Sequence, residues 1–311
     1  MTAHKGPPLD QLADIFALEA IKGFGPQKFK ELYEDNISAS DVLTKPRELQ
    51  RFGKRGSDFH KQLMSLGTKS HRASVERAKK QLEAAQAADG AILTYQDPSY
   101  PRRLYESNLP VPVLYARGDL RVLKHMKAVA CVGSRNIRAP YSELHDGFAR
   151  LAVSLGYVIV SGFATGADVI GHLAAEATKG MTVGVMPSGL NRPFPPEHKE
   201  IWARFIDLPG AVFVSEFGFG VGANALNLRK RNKMIVGMAG GVLVSQSAED
   251  GGAMNAYRFA MEQKKPIATF EPDRTGDTSG NDLIAGSAEK VKSTVLGLNN
   301  KAGWKAWLQT L

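Results

Sequence analysis

Six short apolar runs constrain this chain more than any other feature of its sequence. They begin at Ala128, Tyr157, Met181, Ala211, Gly241 and Pro266, so successive starts lie 29, 24, 30, 30 and 25 residues apart. That is the spacing of βαβ units. The runs, 128–132, 157–160, 181–186, 211–214, 241–244 and 266–270, are apolar without alternation, as strands covered on both faces must be. Between the first two, Leu144, Phe148, Leu151 and Leu155 mark one face of a helix. The pattern predicts an α/β fold with a Rossmann-like, doubly wound, mostly parallel sheet over 127–290.

With 311 residues the chain has room for a smaller companion to that sheet. Residues 1–88 read as a helical domain. Leu12, Ile15, Phe16, Leu18 and Ile21 fall at helical spacing and stop at Gly23, and Phe29, Leu32 and Tyr33 open a second helix after Pro26. The intervening Gly23-Phe24-Gly25-Pro26 is a helix-hairpin-helix signature, since glycine permits the turn and proline suits the next helix start. Gly23, Gly25 and Lys28 are therefore expected as secondary DNA contacts, helped by Lys30. The alternative is a helical corner used for packing. A long polar helix is expected over 68–88, and residues 89–126, with Pro98, Pro101, Pro110 and Pro112, read as a stiff extended connector. Residues 291–311 read as a tail.

Charge and cysteine usage narrow the function. Forty Lys and Arg against 31 Asp and Glu leave a net charge of +9, which suits a polyanionic partner. The single cysteine, Cys131, forms no intramolecular bridge and no thiolate cage, which points to a reducing cytoplasm. No apolar run approaches the ~20 residues of a membrane helix, and the first ten residues lack a signal-peptide core.

In a doubly wound sheet, ligands collect at the carboxyl ends of the strands. The first run ends in Gly133-Ser134-Arg135-Asn136, a glycine turn with a hydroxyl and a planar cation. It is not the dinucleotide fingerprint, because Arg135 and Arg138 stand where that pattern needs glycine. The second ends in Ser161-Gly162-Phe163-Ala164-Thr165-Gly166-Ala167-Asp168, an anion nest in which Asp168 reads chiefly as a helix cap and His172 as a packing histidine. The loop after the third run presents Arg192 and Phe194. Arg229, Lys230, Arg231, Asn232 and Lys233 form the densest positive patch in the chain. Helical phase places Arg229 and Lys233 on one side with Lys230 adjacent, so that a row of phosphates fits across them. Phe163 and Phe194 are the candidate base-stacking rings.

Catalytic signals are weak by comparison. Ser134, Ser161 and Ser188 lack a nucleophile elbow, no histidine pair has metal-ligand spacing, and Asp168, Glu216, Glu249 and Asp250 are not placed around a bond by sequence alone. Nests and cations without an evident nucleophile describe a binder rather than an enzyme, with no cofactor and no metal.

In order along the chain, Asp97-Pro98-Ser99-Tyr100-Pro101, Val132-Gly133-Ser134-Arg135, Ser161-Gly162 through Gly166 with Asp168 and His172, Phe194-Pro195-Pro196-Glu197, Ser215-Glu216-Phe217, Arg231-Asn232-Lys233-Met234-Ile235 and Gly280-Asn281-Asp282-Leu283-Ile284 resemble the DNA-processing protein A family (DprA, also called Smf). The hairpin at 23–26 resembles that family's sterile-alpha-motif-like amino-terminal domain. The resemblance implies a non-catalytic homodimer that binds single-stranded DNA and loads the RecA recombinase during DNA uptake and recombination. Its pocket would use Gly133, Ser134, Arg135, Ser161, Gly162, Gly166, Arg229, Arg231, Asn232 and Lys233. This chain departs from the family at Thr165, where an arginine is usual, and at Gly251-Gly252, and it is expected to lack the carboxyl-terminal winged helix that some members carry. Those departures leave open a paralogue in phage defence or a nucleotide-sensing regulator. The chain is also similar to lysine-decarboxylase-like (LOG) nucleotide phosphoribohydrolases around Arg229-Lys230 and Gly251-Gly252, although the catalytic glutamate of that pattern is missing.

Overall fold

A computed structural model describes residues 6–273, 276–287 and 293–311. The expected boundary at 290/291 and the first five residues read for a leader lie outside the described residues. The strands are β1 (Ala91–Leu93), β2 (Leu114–Gly118), β3 (Ala128–Val132), β4 (Val158–Ser161), β5 (Thr182–Val185), β6 (Ala211–Ser215), β7 (Gly241–Val244), β8 (Ile267–Phe270) and β9 (Ser293–Leu296). The helices are α1 (Leu9–Glu19), α2 (Pro26–Glu34), α3 (Ala39–Thr44), α4 (Gly53–Ala87), α5 (Arg102–Glu106), α6 (Tyr141–Ser154), α7 (Ala167–Ala177), α8 (Lys199–Asp207), α9 (Ala225–Met238), α10 (Met254–Glu262), α11 (Ser279–Gly286) and α12 (Lys301–Leu308).

The strands form one sheet in the order β1-β2-β6-β5-β4-β3-β7-β8-β9. From β6 to β9 in that order all pairings are parallel. The chain winds outward from β3 to β6, then crosses back to place β7 on the other side of β3, so the switch point lies between β3 and β7. Alternate residues of each strand serve two cores. Ala128, Ala130 and Val132 of β3 pack under α9 and α10, while Val129 and Cys131 pack under α6 and α12. Burial on both faces is the physical reason these runs carry no polar alternation.

Three outer strands, of which β1 and β9 form the edges, correct the sequence reading. Residues 89–126 are not a connector, because β2 pairs antiparallel with β6 and β1 with β2. The prolines at 98, 101, 110 and 112 all fall in the crossover between β1 and β2, outside the ladders that need their N–H groups. Residues 293–311 are not a tail, because β9 extends the sheet beside β8 and α12 buries Trp304, Trp307 and Leu308 against Phe148 and Phe270.

The amino-terminal helices do not stand apart from the sheet. Leu12, Phe16 and Phe59 share one core with Ile92, Tyr115 and Phe213. The Gln81 side chain of α4 accepts from the Phe219 N–H at 2.7 Å and donates to the Phe219 carbonyl at 3.2 Å. The polar helix expected over 68–88 is the second half of α4, which breaks at Gly67, where φ is +60°.

Candidate nucleic-acid interface

The tips of β3, β4 and β7 are locked to one another by backbone. The Ser134 N–H donates to the Gln246 carbonyl at 2.7 Å and the Ala167 N–H to the Ser134 carbonyl at 3.1 Å. The Gln246 side chain accepts from the Arg138 N–H at 3.1 Å. Gly166 sits at φ +79°, and a Cβ there would lie 2.4 Å from both the Ser134 and Arg135 carbonyl oxygens. Only glycine lets the β4 turn lie directly on the β3 turn.

Beneath this surface lies an ion pair. Arg231 is 5% exposed; its Nη1 donates to the Val185 carbonyl at 3.1 Å, and its Nη2 stands 3.7 Å from Asp168 Oδ2. A Cβ at Gly162 would fall 1.4 Å from Arg231 Nη1, so the missing side chain is the space the guanidinium occupies. Burial pushes the Asp168 carboxyl above its ordinary value, against the downward pull of Arg231. Burial likewise lowers the Arg231 pKa, opposed by Asp168, and the nearby Arg135 charge lowers it further.

Several expected contacts are therefore corrected. Arg231 is a buried strut joining α9 to β5 and to the start of α7, not a solvent-facing cation. Asp168 does not cap α7; it accepts from the Ala164 N–H at 3.3 Å and pairs with Arg231. Phe163 is fully enclosed by His172, His198, Trp202, Phe205 and Phe213, at φ +61°, and offers no face to a base. The Ser161 hydroxyl is buried and donates to the Cys131 carbonyl at 2.6 Å. Phe194 is half-buried and packs against the core that holds Phe163 and Trp202. At the hairpin, Gly23 makes the turn at φ +86°, but Phe24 fills it with ring contacts to Phe29 and Phe59. Lys28 is paired with Glu31 at 2.7 Å and lies over the Phe52 ring, so its charge is already answered. His172 packs as expected, with Nδ1 2.6 Å from Thr182 Oγ1.

What remains at the strand tips is a set of exposed cations. Arg135, Arg138, Arg192, Arg229 and Lys230 are exposed and have no ion pair among the described residues. Arg135 and Arg138 follow β3, Arg192 follows β5, and Arg229 and Lys230 lie in the first turns of α9. Asn232 and Lys233 are half-buried: Asn232 Nδ2 donates to the Gly252 carbonyl at 3.4 Å, and the Lys233 ammonium lies over the Phe259 ring. Gly133 and Ser134 form the partly open floor of this group, and the Ser134 hydroxyl accepts from the Asn136 N–H at 3.0 Å. Sequence reasoning missed Gln246, although it lies just past the end of β7 where strand-end logic looks. It also missed the aliphatic shoulder of Val221 and Leu226 beside the patch, Leu226 being 63% exposed. Glu216, at the tip of β6, has its carboxyl raised by burial despite the pull of Lys230 and Lys233.

His145, His172 and Cys131 are enclosed, whereas the carboxylates of Glu249 and Asp250 are exposed. Burial holds His145 down at about 4 and His172 at about 3, and pushes the Cys131 thiol up. Among the described residues no group of three or more His, Cys, Asp or Glu could hold a metal ion, and no helix is long and apolar enough to cross a membrane. The surface is built to attract anions.

Comparison with known proteins agrees with this arrangement. A family model described as DNA recombination-mediator protein A matches residues 91–298, a span that opens at β1. The chain is 30% identical over 217 residues to protein Smf of Synechocystis sp., covering 68% of this chain and 54% of that protein. It is 34% identical over 169 residues to protein Smf of Escherichia coli, covering 54% and 44%. The matched segments thus span about half the length of these relatives. Among solved structures, DNA processing protein A from Streptococcus pneumoniae matches 96% of this chain and 98% of its own, with a TM-score of 0.71 at 22% identity. DNA processing protein A from Helicobacter pylori, described for its single-stranded DNA binding mode, covers 70% of this chain and 94% of its own, with a TM-score of 0.59 at 23% identity. Both likenesses show the fold.

Proposed function

Because the chain belongs to the DNA recombination-mediator protein A family, we propose that its strand-tip surface holds single-stranded DNA by the phosphate backbone and breaks no bond. The observation that carries this reading is the group Arg135, Arg138, Arg192, Arg229 and Lys230, exposed together at the carboxyl end of one sheet with no ion pair among the described residues. Free cations in that number neutralise consecutive phosphates and release counterions. Gly133 lets the β4 turn and the end of β7 close on the β3 tip, since a Cβ there would meet the Ala167 methyl at 2.8 Å, and this packing holds the surrounding cations in place.

With Phe163 sealed in the core and Phe194 packed against it, base contact falls to the exposed Val221 and Leu226. Aliphatic contact without hydrogen-bond readout predicts binding with little sequence preference. By the resemblance, a cytoplasmic homodimer would then pass the strand to RecA. The relatives called DNA processing protein DprA support a role in DNA processing by their names.

The test is fluorescence-anisotropy titration of the full chain with single-stranded and duplex oligonucleotides at 50 and 200 mM salt, with AMP as competitor. Five contacts at a slope of about −0.7 each on a single strand predict roughly 100-fold weaker binding at the higher salt. The single strand should bind tighter than duplex, and AMP should not displace it. Tight, salt-insensitive binding of AMP that excludes the oligonucleotide would overturn the reading in favour of a mononucleotide pocket.

A further inference from the structure

A cavity of ≈ 320 Å³ lies away from the strand tips, between α1, α2, the start of α3 and the end of β1. It is at the small end of the ~300–1,000 Å³ range typical of ligand pockets. Phe29, Leu32, Tyr33 and Tyr95 give it an aromatic and apolar wall, and Asp10 and Asp14 contribute carboxylates. None of its lining residues among the described ones is Lys or Arg, although the chain carries a net charge of +9.

Asp14 is the notable member. It is only 9% exposed, hydrogen-bonds Ser40, and has its carboxyl pushed up by burial. The Ser40 hydrogen bond and His71, exposed on α4, work against that rise, and Asp10 adds to it. A buried carboxylate beside aromatic rings is the arrangement that favours an organic cation, through direct charge pairing and attraction to the ring faces. The Tyr33 and Tyr95 rings meet edge to face at 5.6 Å, and Gln11 and Gln96 close one side with a 2.9 Å hydrogen bond.

We propose that this cavity binds an alkylammonium group, with Asp14 pairing the charge, Tyr33 and Tyr95 flanking it, and Phe29 and Leu32 covering the alkyl stem. The same chemistry is offered by a free amine and by a lysine side chain of a partner protein. The site is independent of the DNA reading, and its test does not involve nucleic acid.

The full chain is titrated calorimetrically with n-hexylammonium, and with n-hexanol and hexanoate as neutral and anionic counterparts of the same stem. Hexylammonium should bind saturably and at least tenfold tighter than hexanol, with hexanoate weakest. Nα-acetyl-lysine N-methylamide forms a further arm: tighter binding than hexylammonium identifies a protein side chain as the source, and weaker binding a free amine. Asp14→Asn should bring hexylammonium down to the affinity of hexanol while leaving hexanol unchanged. Tyr33→Leu, at a residue 37% exposed, should reduce the preference for the cation at least threefold even if Asp14→Asn fails to fold. Equal binding of hexanol and hexylammonium, no saturable binding of either, or an unchanged preference in a folded Asp14→Asn variant would each overturn the proposal.

Discussion

Replacing Arg231 with methionine separates a strut from a DNA contact. The substitution removes the donor to the Val185 carbonyl and leaves Asp168 enclosed without its cation. Breaking a buried pair from one side costs about 3–5 kcal/mol. At roughly 2 °C per kcal/mol for a chain of this length, the melting temperature should fall by about 6–10 °C near pH 7. The pH dependence has a definite sign. Burial already holds the Asp168 carboxyl above its ordinary value, and Arg231 works against that rise. Without Arg231 the folded-state pKa climbs further, so the folded state keeps a proton that the unfolded chain has lost. The deficit relative to wild type should be smallest in acid and should grow once the pH rises past the folded-state value of wild-type Asp168, which already lies above the ordinary carboxylate range of about 3.9. Adding Asp168→Leu removes the stranded carboxylate, and the double variant should recover most of the loss, since an apolar pair of similar volume is often neutral. Thermal unfolding of wild type, both single variants and the double variant between pH 5 and 8 measures the cycle. A double variant no more stable than Arg231→Met would refute the pairing. A folded double variant whose salt slope for single-stranded DNA falls by ~0.7 would show that Arg231 contacts a phosphate after all.

Other substitutions probe the frame around the site. Gly166→Ala should lower both the melting temperature and DNA affinity, because its Cβ meets two carbonyl oxygens at 2.4 Å and φ is +79°, strain of about 1–3 kcal/mol before any clash. Differential scanning calorimetry paired with a binding titration reads both effects. His145 and His172 are held neutral, with folded pKa values of about 4 and about 3 against an unfolded value near 6.5. Their folded-state pKa values being depressed, the stability they allow is complete above pH 6.5 and is lost as the pH falls from there towards 4. Substituting His145 with leucine should flatten that acid limb in urea titrations at stepped pH. Trp304→Ala should cost about 3–5 kcal/mol, as for a core aromatic rather than a tail residue, because its ring packs on Phe148 and Phe270.

The central sheet was legible because burial on both faces leaves an unmistakable apolar run. Ala128–Val132 and Gly241–Val244 coincide with the runs read from sequence, and the others shift by a residue or two. The edges were not legible. β1 has only three residues, β2 follows a proline-rich crossover, and β9 exposes Thr294 and Val295, so none shows the buried period. At the site, helical phase put Arg229 and Lys233 on one side of α9, but it could not show that Lys233 is half-buried over Phe259 or that Arg231 turns inward. The inward turn depends on Asp168, brought by β4 from more than sixty residues away, and on the empty space at Gly162. Phe163 followed the same logic in reverse: its left-handed backbone turns the ring into the core, which no local pattern announces. Lys28 is occupied by Glu31, a neighbour one helical turn on, and there the i,i+3 spacing was a readable signal.

The response of unpaired-oligonucleotide binding to salt, with and without the surface cations, measures most directly whether these side chains hold phosphates. For the wild-type chain, five phosphate contacts predict a slope of log K against log salt of about −3.5, and Arg135→Gln/Arg229→Gln/Lys230→Gln should reduce it to about −1.4. A slope that stays at its wild-type value in the folded triple variant would contradict the claim that these side chains hold the phosphates.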